Sequence, residues 1–240
     1  MKVCWFSAGV SSFVSAYLSK PDKVIYIDID DQHPDSMRFV KDCEKVLGKK
    51  IEILKSPYGS VDNACRAFGF IKSAFGAKCT DVLKKRVRKE WEEQQTEPLV
   101  YVWGFDCTEQ DRADRLVDAM PQVEHEFPLI ERGLTKADAH GICENLGVRR
   151  PAMYDLGYAN NNCIGCIKGG MGYWNKIRVD FPKAFESRAK LERIVGHSCI
   201  NGVFLDELEP DRGRMSEEIL PECGIFCEVA WRNAEKEALT

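Results

Sequence analysis

Short apolar runs alternate with helix-length segments over the first 55 residues, and this alternation restricts the fold more than any other feature of the chain. Residues 3–6 are apolar and stop at Ser7-Ala8-Gly9-Val10-Ser11-Ser12. Phe13, Val14, Ala16, Tyr17 and Leu18 then follow a helical pattern that Pro21 closes. Residues 23–29 predict a buried strand with Asp28 near its end. Residues 34–47 predict a second helix, carrying Met37, Val40, Val46 and Leu47 and ended by Gly48, and residues 51–54 a third element of strand type. Strands separated by helices pair in parallel through crossovers. The expected fold is therefore α/β, an open, mostly parallel, doubly wound sheet.

Farther along, residues 56–77 lose the pattern and predict an irregular or partly helical insertion. A charged helix is expected over 81–95, a fourth strand over 99–104, and helices over 109–120, 135–146 and 184–195. Thr135 and Asp138 have the spacing of a capping box. The Gly- and Asn-rich stretch 151–172 reads as loop, and 201–240 as an extended tail. The division expected is a nucleotide-binding α/β domain over 1–198, with a cysteine-containing loop at 151–172, and a C-terminal tail over 199–240.

With 34 Lys and Arg against 38 Asp and Glu, the net charge is −4. That balance argues against a general nucleic-acid binder, although local basic grooves are compatible with it. No apolar run reaches the ~18 residues of a membrane span. The N-terminus lacks the pattern of a signal peptide, so a cytoplasmic protein is expected, with its 11 cysteines as reduced thiols or metal ligands.

In an open parallel sheet, ligands sit beyond the carboxyl ends of the strands. The segment 7–12 leads from a strand into a helix, so it offers backbone N–H groups, a helix N-terminus and serine hydroxyls to a phosphate. Its alternative role is a tight turn with a capping serine. Asp28 and Asp30 follow the second strand, where acids accept hydrogen bonds from a nucleotide or help to hold Mg²⁺ if ATP is the substrate. Arg112 and Arg115 follow the fourth strand as anion clamps or as helix-surface ion pairs. The run from Lys84 through Lys85, Arg86 and Arg88 to Lys89 reads mainly as a solvated helix face, and otherwise as a phosphate-binding one. Lys168, Lys176 and Arg178 flank glycines and suit a sulfate or phosphate. The four histidines show no metal-binding pattern.

Cys163-Ile164-Gly165-Cys166 places two thiols where a reverse turn can aim both at one metal ion or cluster. Structural zinc and a metal-free dithiol are the alternatives. Cys4, Cys43, Cys65 and Cys143 fall within predicted strands and helices and read as core thiols, and Cys107 as structural. Cys223 and Cys227, in the tail, are either a mobile nucleophile and its neighbour or a structural pair.

Taken in order, these segments resemble the phosphoadenosine phosphosulfate (PAPS) and adenosine phosphosulfate (APS) reductase family of the PP-loop adenine-nucleotide α-hydrolases. Residues 7–12 resemble its SGGxDS loop, with Ala8 for a glycine and Ser11 for the aspartate. Residues 33–40 resemble its post-strand segment. Cys79 through Lys84 is similar to its Cys-x-x-x-x-Lys stretch, and 104–112 occupies the place of its Gly-x-Arg…Ser-x-x-Arg segment. Phe127-Pro128-Leu129 matches its Asn-Pro-Leu. Tyr154-Asp155-Leu156-Gly157-Tyr158, running on to Cys163 and Cys166, matches its Tyr-Asp-x-Gly-Tyr…Cys-x-x-Cys, and Glu222-Cys223-Gly224 its C-terminal Glu-Cys-Gly.

The resemblance implies an adenine nucleotide bound by Ser7, Ala8, Gly9, Val10, Ser11, Ser12, Asp28 and Asp30. It implies a sulfate held by Lys84, Arg112 and Lys168, and Cys223 as the nucleophile. Cys79 becomes a third ligand beside Cys163 and Cys166 for a [4Fe–4S] cluster, with zinc as the alternative. The activity implied is reduction of APS or PAPS to sulfite with an external thiol reductant. Two alternatives remain: an ATP-dependent, iron–sulfur sulfur transferase acting on a nucleobase, including one in a nucleic acid, or another acceptor, and a non-enzymatic nucleotide or cluster sensor.

Overall fold

The computed structural model describes residues 1–73 and 76–217. In chain order the main elements are β1 (Lys2–Phe6), α1 (Val10–Ser19), β2 (Lys23–Asp28), α2 (Asp35–Leu47), β3 (Ile51–Lys55) and α3 (Val61–Phe68). There follow β4 (Val100–Val102), α4 (Gln110–Ala119), β5 (Glu124–Glu126), α5 (Lys136–Asn145), α6 (Met171–Asp180) and α7 (Pro182–Val195). The chain divides into two compact units. The first comprises Met1–Asp28, His33–Lys55 and Arg88–Asn161; the second comprises Ile29–Gln32, Ser56–Val87 and the chain from Asn162 onward.

The first unit holds a five-stranded sheet in the order β3-β2-β1-β4-β5, every neighbouring pair parallel. Alternation along β1 sends Cys4 and Phe6 into one core and Trp5 to the opposite face. The Phe6 core is completed by Phe13 of α1, Phe39 and Val40 of α2, and Ala139 and Cys143 of α5. On the other face Trp5 meets Trp91 and Tyr101 edge-on, with ring centroids 5.5 and 5.7 Å away. Such edge-to-face pairs add about 0.5–1.5 kcal/mol beyond area burial. The expected doubly wound α/β fold is thus the observed one, and β1 lies at its centre, between β2 and β4.

Strand β5 is absent from the sequence reading. Glu124-His125-Glu126 is three residues long and carries two acids, so neither length nor alternation marks it; its pairing with β4 (Val102 with Glu126) defines it. Helix α5 starts as predicted. Thr135 Oγ1 accepts the Asp138 N–H at 3.2 Å, and the Asp138 carboxylate accepts the Thr135 N–H at 2.8 Å.

The charged helix begins at Lys78 and runs to Glu92, with a π-helical segment over Asp81–Lys85. Here the solvated-face reading fails for two of the five basic residues. Lys85 is buried, and Arg88 is 3% exposed. The wider π turn shifts the faces of the helix, and burial of Val82, Leu83, Val87 and Trp91 carries those two cations inward. Arg88 is compensated within the first unit by Glu92, Nε to Oε1 at 3.2 Å, and Glu92 also accepts the Tyr101 hydroxyl at 2.5 Å.

In the second unit, Trp174 of α6 packs edge-on against Phe185 of α7, 6.3 Å between centroids. Glu192 is fully buried, and its carboxylate accepts the backbone N–H of Cys199 and of Leu205, fixing the return of the chain after α7. The stretch read as loop contains a helical turn at Ala152–Asp155 and the start of α6, and the tail read from 201 contains short 3₁₀ turns at Leu205–Glu207 and Met215–Glu217. Among the described residues no helix is long and apolar enough to cross a membrane.

Candidate functional site

The turn between β1 and α1 is organised by one hydroxyl. Ser12 Oγ donates to the Gly9 carbonyl at 2.9 Å and accepts the Ser7 N–H at 3.2 Å. With its proton committed to Gly9, Ser12 Oγ also accepts from Ser7 Oγ, 3.0 Å away. The Ser12 hydroxyl is therefore the internal brace of the loop. Ala8 is fully buried in a left-handed conformation, φ +56°. Its carbonyl accepts Asn161 Nδ2 at 2.9 Å, and the same amide donates to Ser36 Oγ at 3.0 Å.

The Val10 N–H donates to the Tyr154 hydroxyl at 3.3 Å. The N–H groups of Ala8, Gly9, Ser11 and Ser12 make no hydrogen bond among the described residues. Those four are the donors the loop offers to an anion. Gly104, just beyond β4, lies against the loop so closely that a Cβ there would be 2.6 Å from the Ser12 Cα and N.

Asp28, at the end of β2, forms an ion pair with Lys55 at 3.6 Å. Arg112 on α4 is buried, pairs with Glu109 and stacks over Phe105 with its guanidinium carbon 4.5 Å from the ring centroid.

The second unit gathers the thiols. Cys79, Cys163, Cys166 and Lys84 line one small cavity, together with Ile29 and Val61. The first and second of these cysteines are 84 positions apart in sequence, yet all three line one cavity. Among the described residues no trio of His, Cys, Asp or Glu is closed into a metal-binding group. A cysteine side chain turns about a single torsion, so the backbone around the cavity decides whether sulfurs can meet, and three soft thiol donors on one cavity fit a cluster or zinc by their chemistry.

Asp30, in the same unit, donates its N–H to the Gly59 carbonyl at 3.0 Å, and its carboxylate lies where a Gly59 Cβ would be, 2.5 Å from Oδ2. Lys168 is half-buried two positions after Cys166. Cys223 and Cys227 lie outside the described residues.

The remaining thiols behave as core. Burial pushes Cys4 up to about 12, and Cys65 and Cys143 to about 11, which keeps them protonated and inert. Cys107 is half-buried, its N–H donated to the Leu134 carbonyl at 2.9 Å. Sequence reasoning missed Asn161, Ser36 and the role of Tyr154 at the loop. It also missed Asp31, Tyr173 and Arg188 around the Cys163–Cys166 turn. Tyr154 stands inside a motif quoted above, but a hydroxyl contact 144 positions away leaves no periodic trace.

No family model matches the sequence, and no curated protein matches it. Among solved structures, the chain is similar to the phosphate complex of phosphoadenylyl-sulfate (PAPS) reductase from Candida auris, with 15% identity, 67% of this chain and 80% of that one covered, and a TM-score of 0.45.

Proposed function

We propose that this chain is an adenine-nucleotide-binding enzyme of sulfur metabolism that reduces an adenylyl sulfate, APS or PAPS, to sulfite at the expense of an external thiol. The observation that carries the reading is the convergence of Cys79, Cys163, Cys166 and Lys84 on one cavity, in a chain whose β1–α1 turn presents four amides to an anion. In this reading the loop binds the adenylyl phosphate, and Lys84, Arg112 and Lys168 are the candidates to hold the sulfate. The Cys223 thiolate attacks the sulfate sulfur. The S–O bond to the phosphate breaks, and its electron pair leaves with AMP or adenosine bisphosphate. The enzyme is left as a Cys223 S-sulfonate. An external thiolate then attacks the Cys223 sulfur, sulfite leaves with the S–S electron pair, and a second thiol reduces the mixed disulfide. A [4Fe–4S] cluster held by Cys79, Cys163 and Cys166 would supply an electrophilic iron beside the Lys84 ammonium; zinc there would supply structure.

Mixing the protein with APS or PAPS should leave an adduct of about 80 Da on the Cys223 peptide, lost on adding thiol and absent from Cys223→Ser. Calorimetry should show one of ATP, AMP, APS and PAPS binding, and replacing Gly9 by leucine should remove it. A second reading, an ATP-dependent sulfur transferase, is favoured by the small-residue loop over residues 7–12 and by the single Cys79. It predicts ATP cleavage to AMP and pyrophosphate in the presence of the acceptor, Mg²⁺ dependence and no adduct. A protein that binds nucleotide yet forms no adduct refutes the first reading.

A further inference from the structure

The Cys163-Ile164-Gly165-Cys166 turn is held from outside at two of its amides, those of Ile164 and Cys166. The buried Tyr173 hydroxyl accepts the Cys166 N–H at 2.8 Å and donates to the Cys163 carbonyl at 3.2 Å, so it bridges the two cysteines. A hydroxyl inserted between the carbonyl of residue i and the amide of residue i+3 holds a turn wider than the direct hydrogen bond of an ordinary β-turn does. The ring is seated against Gly169, where a Cβ would come within 2.0 Å of Tyr173 Cδ1. Between the cysteines, the Ile164 N–H donates to the Asp31 carbonyl at 2.8 Å.

Asp31 is itself fixed twice through its carboxylate. Oδ1 accepts Arg188 Nη2 at 2.6 Å, and Oδ2 accepts the Val61 N–H at 2.6 Å. Arg188 is 3% exposed, and its Nε lies 3.8 Å from where a Gly165 Cβ would stand. Val61, Cys163 and Cys166 all line the cavity that also holds Cys79. One buried ion pair thus ties two of its walls together.

We propose that Tyr173 and the Arg188–Asp31 pair are positioning residues that fix the Cys163–Cys166 turn with both thiols on the cavity shared with Cys79, so that the metal-free chain already carries the backbone of a thiolate site for a soft metal ion. The proposal rests on the reading of these thiols as metal ligands. Groups behind the ligands set their orientation, and their loss costs about 10–100-fold in metal affinity.

The test is an anaerobic titration of the full, reduced chain with cobalt(II) alone, following the thiolate-to-cobalt absorption. Unmodified protein should develop the band and Cys163→Ser should lose it. Tyr173→Phe, which removes one oxygen and keeps the ring, should bind cobalt roughly 10–100-fold more weakly with far-UV circular dichroism unchanged. Asp31→Asn, near-isosteric, should weaken binding in the same direction. In metal-free protein, hydrogen exchange of the peptide spanning 163–167 should quicken in Tyr173→Phe. A band in unmodified protein that is lost in Cys163→Ser but unaltered in affinity by Tyr173→Phe overturns the positioning role while leaving the metal site standing. No band in unmodified protein overturns the metal site and the proposal with it.

Discussion

Gly104→Ala tests how tightly the end of β4 constrains the turn between β1 and α1. The added Cβ would stand 2.6 Å from the Cα and N of Ser12 and 3.0 Å from the Ser11 carbonyl carbon. Carbon atoms in good contact sit at about 3.5–4.0 Å, so the two backbones must part by roughly 1 Å. A movement of that size carries the Ser7 N–H to Ser12 Oγ bond, now 3.2 Å, beyond hydrogen-bonding range. Overpacking of this kind costs about 1–3 kcal/mol, and each lost hydrogen bond about 1 kcal/mol. The smaller entropy of the unfolded alanine chain returns about 0.4–1 kcal/mol. The net loss is roughly 1.5–3 kcal/mol, which lowers the Tm of a chain this long by about 3–12 °C.

The matched control is Gly141→Ala, in the exposed middle of α5 with nothing within 4 Å of the new carbon, which should gain about 1 kcal/mol of helix propensity. Thermal and urea unfolding measure both variants, and calorimetry with nucleotide measures the loop. Equal stability of the two variants, or wild-type nucleotide binding by Gly104→Ala, would refute the claim that close contact with Gly104 shapes the loop.

Ala8→Gly should shift stability by less than about 1 kcal/mol, because relief of a left-handed penalty of about 1–2 kcal/mol is offset by about 0.8 kcal/mol for the lost buried methyl and about 0.4–1 kcal/mol of unfolded-state entropy; a larger change in urea unfolding would contradict it. Asp35 carries a pH signature: bidentate hydrogen bonds from Arg38, assisted by the Ala152 N–H, lower its carboxyl from 3.8 to about 2. A depressed folded-state value means stability that is complete above about pH 5 and is mostly lost as the pH falls through the window from 3.8 to 2, so Asp35→Asn should remove roughly 1–2 kcal/mol at pH 7 and only about 0.4 kcal/mol or less at pH 2. Urea midpoints across that range that stay parallel for the two proteins would contradict it.

Much of this architecture is local and therefore legible. Strands β1, β2 and β3 announce themselves as apolar runs, α2 ends at a left-handed Gly48, and Thr135 and Asp138 write their own cap. The loop 7–12 is legible for the same reason, since a strand, small residues and a helix follow one another directly. Its internal division of labour is not. That the Ser12 hydroxyl braces the loop while the N–H groups of Ala8, Gly9, Ser11 and Ser12 remain depends on a hydroxyl geometry that many serine-rich turns do not share, and Tyr154 and Asn161 reach the loop from more than 140 positions away. Burial of Lys85 and Arg88 was hidden because a 3.6-residue period assumes an unbroken α-helix, and the π turn breaks it. At the cysteine turn the spacing of the thiols was visible in one segment, whereas the groups that hold it, Asp31 and Arg188, come from opposite ends of the chain.

Strand order also governs what happens while the chain is being made. β1 occupies the centre of the sheet, yet its two neighbours emerge from the ribosome at different times: β2 follows at once, and β4 only with Val100–Val102. Between completion of β3 and arrival of β4 the ribosome adds about 45 residues, which at 5–20 residues per second takes roughly 2–9 s. For that interval the free edge of Lys-Val-Cys-Trp-Phe is an unpaired, apolar strand next to an aromatic surface, the kind of edge that recruits another chain. The time at which this protein is most prone to aggregate is thus set by strand topology, and it falls during translation, before the sheet can close over β1.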